Sequence, residues 1–319
     1  MLNVLIAAAL LWQEPPKTGG PFSVTIDKPQ TTYWCQVPDD YTAVRSWPLM
    51  VILHGAGDTA ENFIKFWSGG GAKAKFILAA AKSRGQAWDD TDGDLILGVL
   101  DDVKKKYKVD ADRVMLTGYS SGGFMATRWG FRHASNWRVL TAIAGADHGG
   151  GKEYKAAIGR MSVLVVCGDR DPNLRICKEV FEHVKKDGFE CASNWVAGME
   201  HSPLKPEAQQ WIFDEILKRI DAPAECLKRA RKAGAEKRFA DAVAEYRKTA
   251  DQKDDEKLAK SAATELARLE KTANDKLADG QRKLEKGDKA GARKSFEEAA
   301  KYAGLEAATK AEEALKSLR

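Results

Sequence analysis

The sequence predicts an α/β fold, a mostly parallel sheet flanked by helices, followed by a second, smaller all-α domain. Three observations predict it. Between residues 22 and 220, short runs rich in Val, Ile and Leu alternate with helical patterns. All nine Trp precede residue 212, and only Pro223 lies beyond Pro206. From Ala222 onward Ala, Lys, Glu, Leu and Arg dominate, with no strand signal. The boundary is therefore expected near Asp221-Ala222-Pro223, giving a domain over 18–221 and a helical one over 222–319.

Taken in order, 22–26 and 31–37 read as opening strands at an antiparallel edge. Residues 49–54 form a continuous apolar run, as a strand buried on both faces requires. A helix over 60–67 and a strand over 75–81 follow. The spacing of Leu95, Val99, Leu100 and Val103 predicts an amphipathic helix over 94–107. Then come a strand over 113–117, a helix over 123–133, and buried strands over 139–144 and 162–167. A helix over 173–186, a last strand over 192–196 and a closing helix over 206–220 complete the series. This strand and helix order is that of an α/β-hydrolase.

Two stretches of the tail resemble tetratricopeptide units. Gly280, Gly287, Ala292, Phe296 and Ala299 have the small/aromatic/small spacing by which one helix of a hairpin packs on the other. A weaker copy comprises Ala230, Phe239, Ala242 and Tyr246. The copies lie 50 residues apart, against about 34 for that repeat, so an extra helix is expected around 256–276. A plain Ala-rich bundle is the alternative. Residues 222–319 are a candidate surface for a protein partner.

The tail carries 24 Lys and Arg against 19 Asp and Glu, the whole of the net charge of +5. Acids and bases are interleaved along it, which is a solvated helical surface and argues against a nucleic-acid footprint. Residues 4–12 are apolar but too few to span a bilayer, and suit the hydrophobic part of a signal peptide. Residues 1–17 are therefore expected to be a leader and the protein to be exported, with a first strand and a cytoplasmic location as the alternative. No stable membrane span is expected. Five cysteines show no C-x-x-C pair, so no metal or other cofactor is expected, and a Cys177–Cys191 disulfide is one option in an exported chain.

The chemistry centres on Gly118-Tyr119-Ser120-Ser121-Gly122, placed directly between a strand and a helix. A G-x-S-x-G in that setting holds its serine at a strained turn, with flanking glycines letting strand and helix close on it. A serine hydroxyl is inert at neutral pH and needs a base, an orienting carboxylate and oxyanion donors. In this fold the order is Ser, acid, His. Of the five histidines, only His201 follows the last strand; His54, His133, His148 and His183 lie elsewhere in that order. The acid should end the strand over 162–167, in Gly168-Asp169-Arg170-Asp171-Pro172, where Asp171 is preferred and Asp169 stays open. The oxyanion donors are expected to be the N–H of Ser121 and that of Ala56 or Gly57, in His54-Gly55-Ala56-Gly57. His54, Gly57, Tyr119 and Trp88 are candidates to line the substrate pocket. The acidic loop at 88–94 makes a poor calcium loop, with misplaced glycine and no terminal Glu, and is better explained by acids starting a helix.

The run from Pro48 through His54-Gly55-Ala56-Gly57-Asp58, the segment Asp110-Ala111-Asp112-Arg113-Val114 leading into the elbow, and Gly198-Met199-Glu200-His201-Ser202-Pro203 carry a family resemblance. They resemble α/β-hydrolase esterases of the group containing extracellular polyhydroxyalkanoate depolymerases and feruloyl and acetylxylan esterases, with phospholipase/carboxylesterases close by. The resemblance covers roughly residues 20–220. It implies hydrolysis of a small or polymer-attached carboxylic ester through an acyl-enzyme on Ser120, with His201 as base then acid and Asp171 orienting it. The rival expectations are a serine peptidase of the same fold, and a non-catalytic hydrolase scaffold whose helical tail mediates binding.

Overall fold

The computed structural model describes residues 17–252 and 255–318. The expected leader falls almost entirely outside them. Eight strands form one sheet: β1 (Gly19–Asp27), β2 (Gln30–Val37), β3 (Trp47–Leu53), β4 (Ile77–Ala81), β5 (Val109–Tyr119), β6 (Val139–Ile143), β7 (Ser162–Gly168) and β8 (Glu190–Val196). Their spatial order is β1-β2-β4-β3-β5-β6-β7-β8. The first two pair antiparallel, β2 meets β4 antiparallel, and every later pairing is parallel. This is the α/β-hydrolase architecture.

Five helices cover the two faces: α1 (Ala60–Ala74), α2 (Gly93–Lys106), α3 (Ser121–Arg132), α4 (Leu174–Lys186) and α5 (Pro206–Ile220). The period-two geometry of a strand sorts the β3 side chains between two cores. Leu49, Val51 and Leu53 pack with α2, α3 and α4, while Met50 and Ile52 pack with α1 and α5. The whole of β3 is buried, as its unbroken apolar run requires.

Helix α1 runs seven residues beyond the expected 60–67, through Gly69-Gly70-Gly71. Glycine disfavours a helix by about 1 kcal/mol per residue relative to Ala, so local propensity argued for a stop. Packing overrides it: a β-carbon on Gly70 would come within 2.2 Å of the Phe213 ring, and one on Gly71 within 2.5 Å of Leu78. The glycines let α1 lie close against α5 and β4. The helix then ends at Lys75, in the left-handed conformation.

Beyond Asp221 the chain is helical: α6 (Pro223–Ala235), α7 (Phe239–Ala250), α8 (Glu256–Glu285), α9 (Lys289–Ala300) and α10 (Glu306–Ser317). Helices α6 and α7 share a small core of Ala230, Ala233, Ala242 and Tyr246 with Ala262 of α8. Ala292, Phe296 and Ala299 of α9 pack on α8, where a β-carbon on Gly280 would meet the Phe296 ring at 2.4 Å. The expected extra helix is not separate; it continues through Gly280 as one 30-residue helix. No helix among the described residues is long and apolar enough to cross a membrane. All five cysteines are free, and Cys177 neighbours Cys167, whose thiol pKa is raised chiefly by that contact and then by burial.

The tail joins the sheet through charge. Arg113, near the start of β5, bonds Asp110 at 2.8 Å and reaches Glu245 of α7 at 3.2 Å and Asp221 at 3.7 Å. Arg229 of α6 meets the same Glu245 at 2.7 Å, and Lys248 pairs with Asp221. The Ser46 N–H, just before β3, donates to Asp241 of α7 at 2.6 Å.

Candidate active site

The site lies at the carboxyl ends of the central strands. After β5 the chain reverses at Ser120 with φ 53° and ψ −117°, a positive φ that costs a non-glycine residue energy. The turn is held by the Ser120 N–H donating to Ile143 O at 2.7 Å, and by the Ser120 carbonyl accepting from Gly123 and Phe124. Space dictates its glycines. A β-carbon on Gly118 would sit 2.0 Å from Gly122 O, and one on Gly122 would sit 2.4 Å from Leu53 O. The hydroxyl is thereby presented above the sheet, at the start of α3.

His201 lies on the exposed loop after β8. Its Nε2 is 2.9 Å from Ser120 Oγ, and its Nδ1 is 2.8 Å from Asp171 Oδ2. Asp171 is only 4% exposed, and its other oxygen accepts the Asn173 N–H at 2.8 Å. Asn173 is fixed in turn by donating to Ala144 O. The two loop aspartates divide the work: Asp169 Oδ1 accepts the Gly198 N–H at 2.7 Å, tying the acid loop to the histidine loop. An Nδ1–H donated to Asp171 leaves Nε2 free to accept from Ser120, the tautomer a base at that position needs.

The loop 54–57 abuts the elbow: a β-carbon on Gly55 would meet the Tyr119 ring at 2.8 Å and Ser120 Cβ at 3.6 Å. Of the two alternative donors here, Gly57 commits its N–H to Gln86 O at 2.8 Å, which leaves Ala56, on the exposed part of the loop. Ser121 opens α3, where unpaired N–H groups and the helix dipole favour negative charge.

The four pocket candidates separate. His54 is 2% exposed and lies beneath the loop; its Nδ1 bonds Gly55 O at 2.8 Å, and burial lowers its pKa. Trp88 is 8% exposed and turns inward, donating its indole N–H to His54 O at 2.9 Å and bracing the loop from below. Gly57, at φ 75°, borders a wide groove with Trp34, Glu61, Lys82 and Gln86. Tyr119 stacks on the His201 ring, centroids 5.5 Å apart, and burial, with Asp171 nearby, pushes its phenol up to about 12. It also borders an apolar cleft of about 120 Å³, with Phe63, Phe66, Trp67 and Leu204. That cleft was missed from sequence, although Phe63, Phe66 and Trp67 stand at i, i+3 and i+4, one helical face.

The acids at 89–94 serve local structure. Asp89 caps the turn at Thr91, buried Asp92 accepts the N–H groups of Arg84 and Asp89, and Asp94 pairs with Arg84.

Comparison with known proteins finds proteins named as esterases among the matches. No protein-family model matches the chain. It is 30% identical over 140 residues to NocK of Nocardia uniformis subsp. tsuyamanensis, a protein provisionally named an esterase, over 39% of this chain and 40% of that protein. It is 27% identical over 123 residues to the Probable feruloyl esterase C of Aspergillus niger, over 35% of this chain and 46% of that one. The matches thus span less than half the length of these relatives. Among solved structures, a hyperthermophilic esterase from Pyrobaculum calidifontis superposes with a TM-score of 0.53 at 14% identity, over 63% of this chain and 86% of that one. That likeness is one of fold.

Proposed function

We propose that residues 18–221 form a serine hydrolase of carboxylic esters, working through an acyl-enzyme on Ser120. The observation that carries this is the hydrogen-bonded chain from Ser120 Oγ through His201 to buried Asp171, at 2.9 and 2.8 Å, set on a turn strained at the serine. The two curated relatives named as esterases support the same reading.

In this mechanism His201 Nε2 takes the Ser120 proton as Oγ attacks the ester carbonyl carbon. The carbonyl oxygen becomes an oxyanion held by the N–H groups of Ser121 and Ala56, each worth roughly 3–4 kcal/mol in the transition state. Asp171 holds the imidazole in place and stabilises it once protonated. Collapse breaks the ester C–O bond, and His201 returns the proton to the departing alcohol. Water then adds to the acyl-enzyme with His201 as base, releasing the acid and restoring the Ser120 hydroxyl. Turnover of p-nitrophenyl acetate that disappears in Ser120→Ala supports the assignment; turnover that survives that change overturns it.

The helical tail is inferred to be a docking module, because it meets the sheet at the end opposite the proposed site and leaves the loops around Ser120 uncovered. Removing residues 222–319 is then expected to leave small-ester turnover in place.

A further inference from the structure

The two recesses beside the elbow differ in chemistry. The apolar cleft is walled by Phe63, Phe66 and Trp67 of α1, by Tyr119 and by Leu204, with Asp58 and Asn62 at its exposed rim. The larger groove beyond the loop 54–57 is a mixed surface, with Trp34 beside the charged Asp58, Glu61 and Lys82 and the polar Thr32 and Gln86. A hydrocarbon chain gains from leaving water where the walls are apolar and loses where charged groups must be desolvated, so the cleft, with three aromatic walls from α1, suits one better than the groove with its Glu61 and Lys82.

The cleft reaches the loop that carries His201. The Tyr119 ring that forms part of its wall stacks on the imidazole, and Pro203 and Leu204 stand two and three residues after His201 in the chain. In ester cleavage the leaving oxygen must receive its proton from His201 Nε2, so the alcohol portion departs on the His201 side. We propose that the cleft binds an aliphatic leaving group, which makes the preferred substrates carboxylic esters of hydrocarbon alcohols. This rests on the ester-hydrolase reading of Ser120.

The test compares two series on the full chain. In the first, acetate esters of ethanol, butanol and hexanol vary the leaving group. In the second, ethyl acetate, butyrate and hexanoate vary the acyl group. The expected result is a rise in kcat/KM of about fourfold per methylene in the alcohol series until the cleft is filled, with little dependence on acyl length. Asn62→Trp fills the cleft from an exposed helical position, and Phe66→Ser removes an apolar wall that is 37% exposed, so neither change cuts into the core. Each is expected to lower the hexyl-to-ethyl ratio about tenfold or more, while the hexanoate-to-acetate ratio stays within about twofold. Chain-length dependence confined to the acyl series, or an alcohol ratio that neither variant moves, overturns the inference and leaves the ester-hydrolase reading standing. A protein that turns over no ester in either series overturns both.

Discussion

The two ends of β5 are built on opposite principles. At its carboxyl end, Gly118, Gly122 and Gly123 bring backbone against backbone where a β-carbon would collide, so Ser120 is positioned by shape. At its amino end, Asp110 and Arg113 join Asp221, Arg229 and Glu245 in a mostly buried network that fastens the helical tail. From Arg113 to Ser120 is seven residues of extended chain, roughly 23 Å. At that distance two unit charges interact by roughly 0.7 kcal/mol at an effective dielectric constant of about 20, and the opposite charges of the network offset one another. The contrast sets the proposed catalytic turn and the attachment of the tail at opposite ends of one strand.

That separation can be broken or sharpened in steps. The largest effect is expected from Ser120→Ala, which should lower kcat on p-nitrophenyl acetate on the order of 10⁶-fold, with a little-changed urea midpoint because Ala keeps the β-carbon and with it the strain at φ 53°. Next, Asp171→Asn should cost about 10⁴-fold in kcat by favouring the wrong His201 tautomer. Asp169→Asn, two residues away, loses only its charge-assisted bond to Gly198 and should cost less than about tenfold. Comparable losses from both would dissolve the division of labour between them.

At the other end of β5, Arg113→Ala leaves the Glu245 and Asp110 carboxylates short of a partner. Unfolding in urea should report a loss of about 3–5 kcal/mol, while kcat/KM of the folded protein stays within about twofold. A large fall in kcat/KM there would show that the two ends are coupled. The smallest effect concerns His54. Burial keeps its folded pKa below the ordinary 6.5, so between those values the unfolded chain binds the extra proton. Stability should therefore fall as pH drops through 6.5, by at most about 1.4 kcal/mol per pH unit. His54→Asn should flatten that part of the urea-midpoint profile between pH 7.5 and 5.5, and an unchanged slope would place its cause elsewhere.

Much of this was legible in the chain because it depends on neighbours in sequence. The buried run of β3, the elbow glycines and the order of Ser120, Asp171 and His201 all follow from periodicity, backbone freedom and loop position. The length of α1 was not legible, because of the three glycines that argue locally for a stop, Gly70 is needed by Phe213, far away in the chain, and Gly71 by Leu78 of β4. The direction of Trp88 was not legible for a similar reason: its loop borders the site, but its indole turns inward to the His54 carbonyl.

The sequence by itself determined the α/β order, the change of composition at Ala222, and a serine, a histidine and a short choice of aspartates. Only the tertiary structure decided which aspartate faces His201, which loop N–H is already spent on Gln86, and that an apolar cleft lies under Tyr119. The physical reason is reach. Residue type and local spacing set what a segment can do, whereas a hydrogen bond or a cavity wall exists only once segments distant in sequence are packed within a few ångströms of each other.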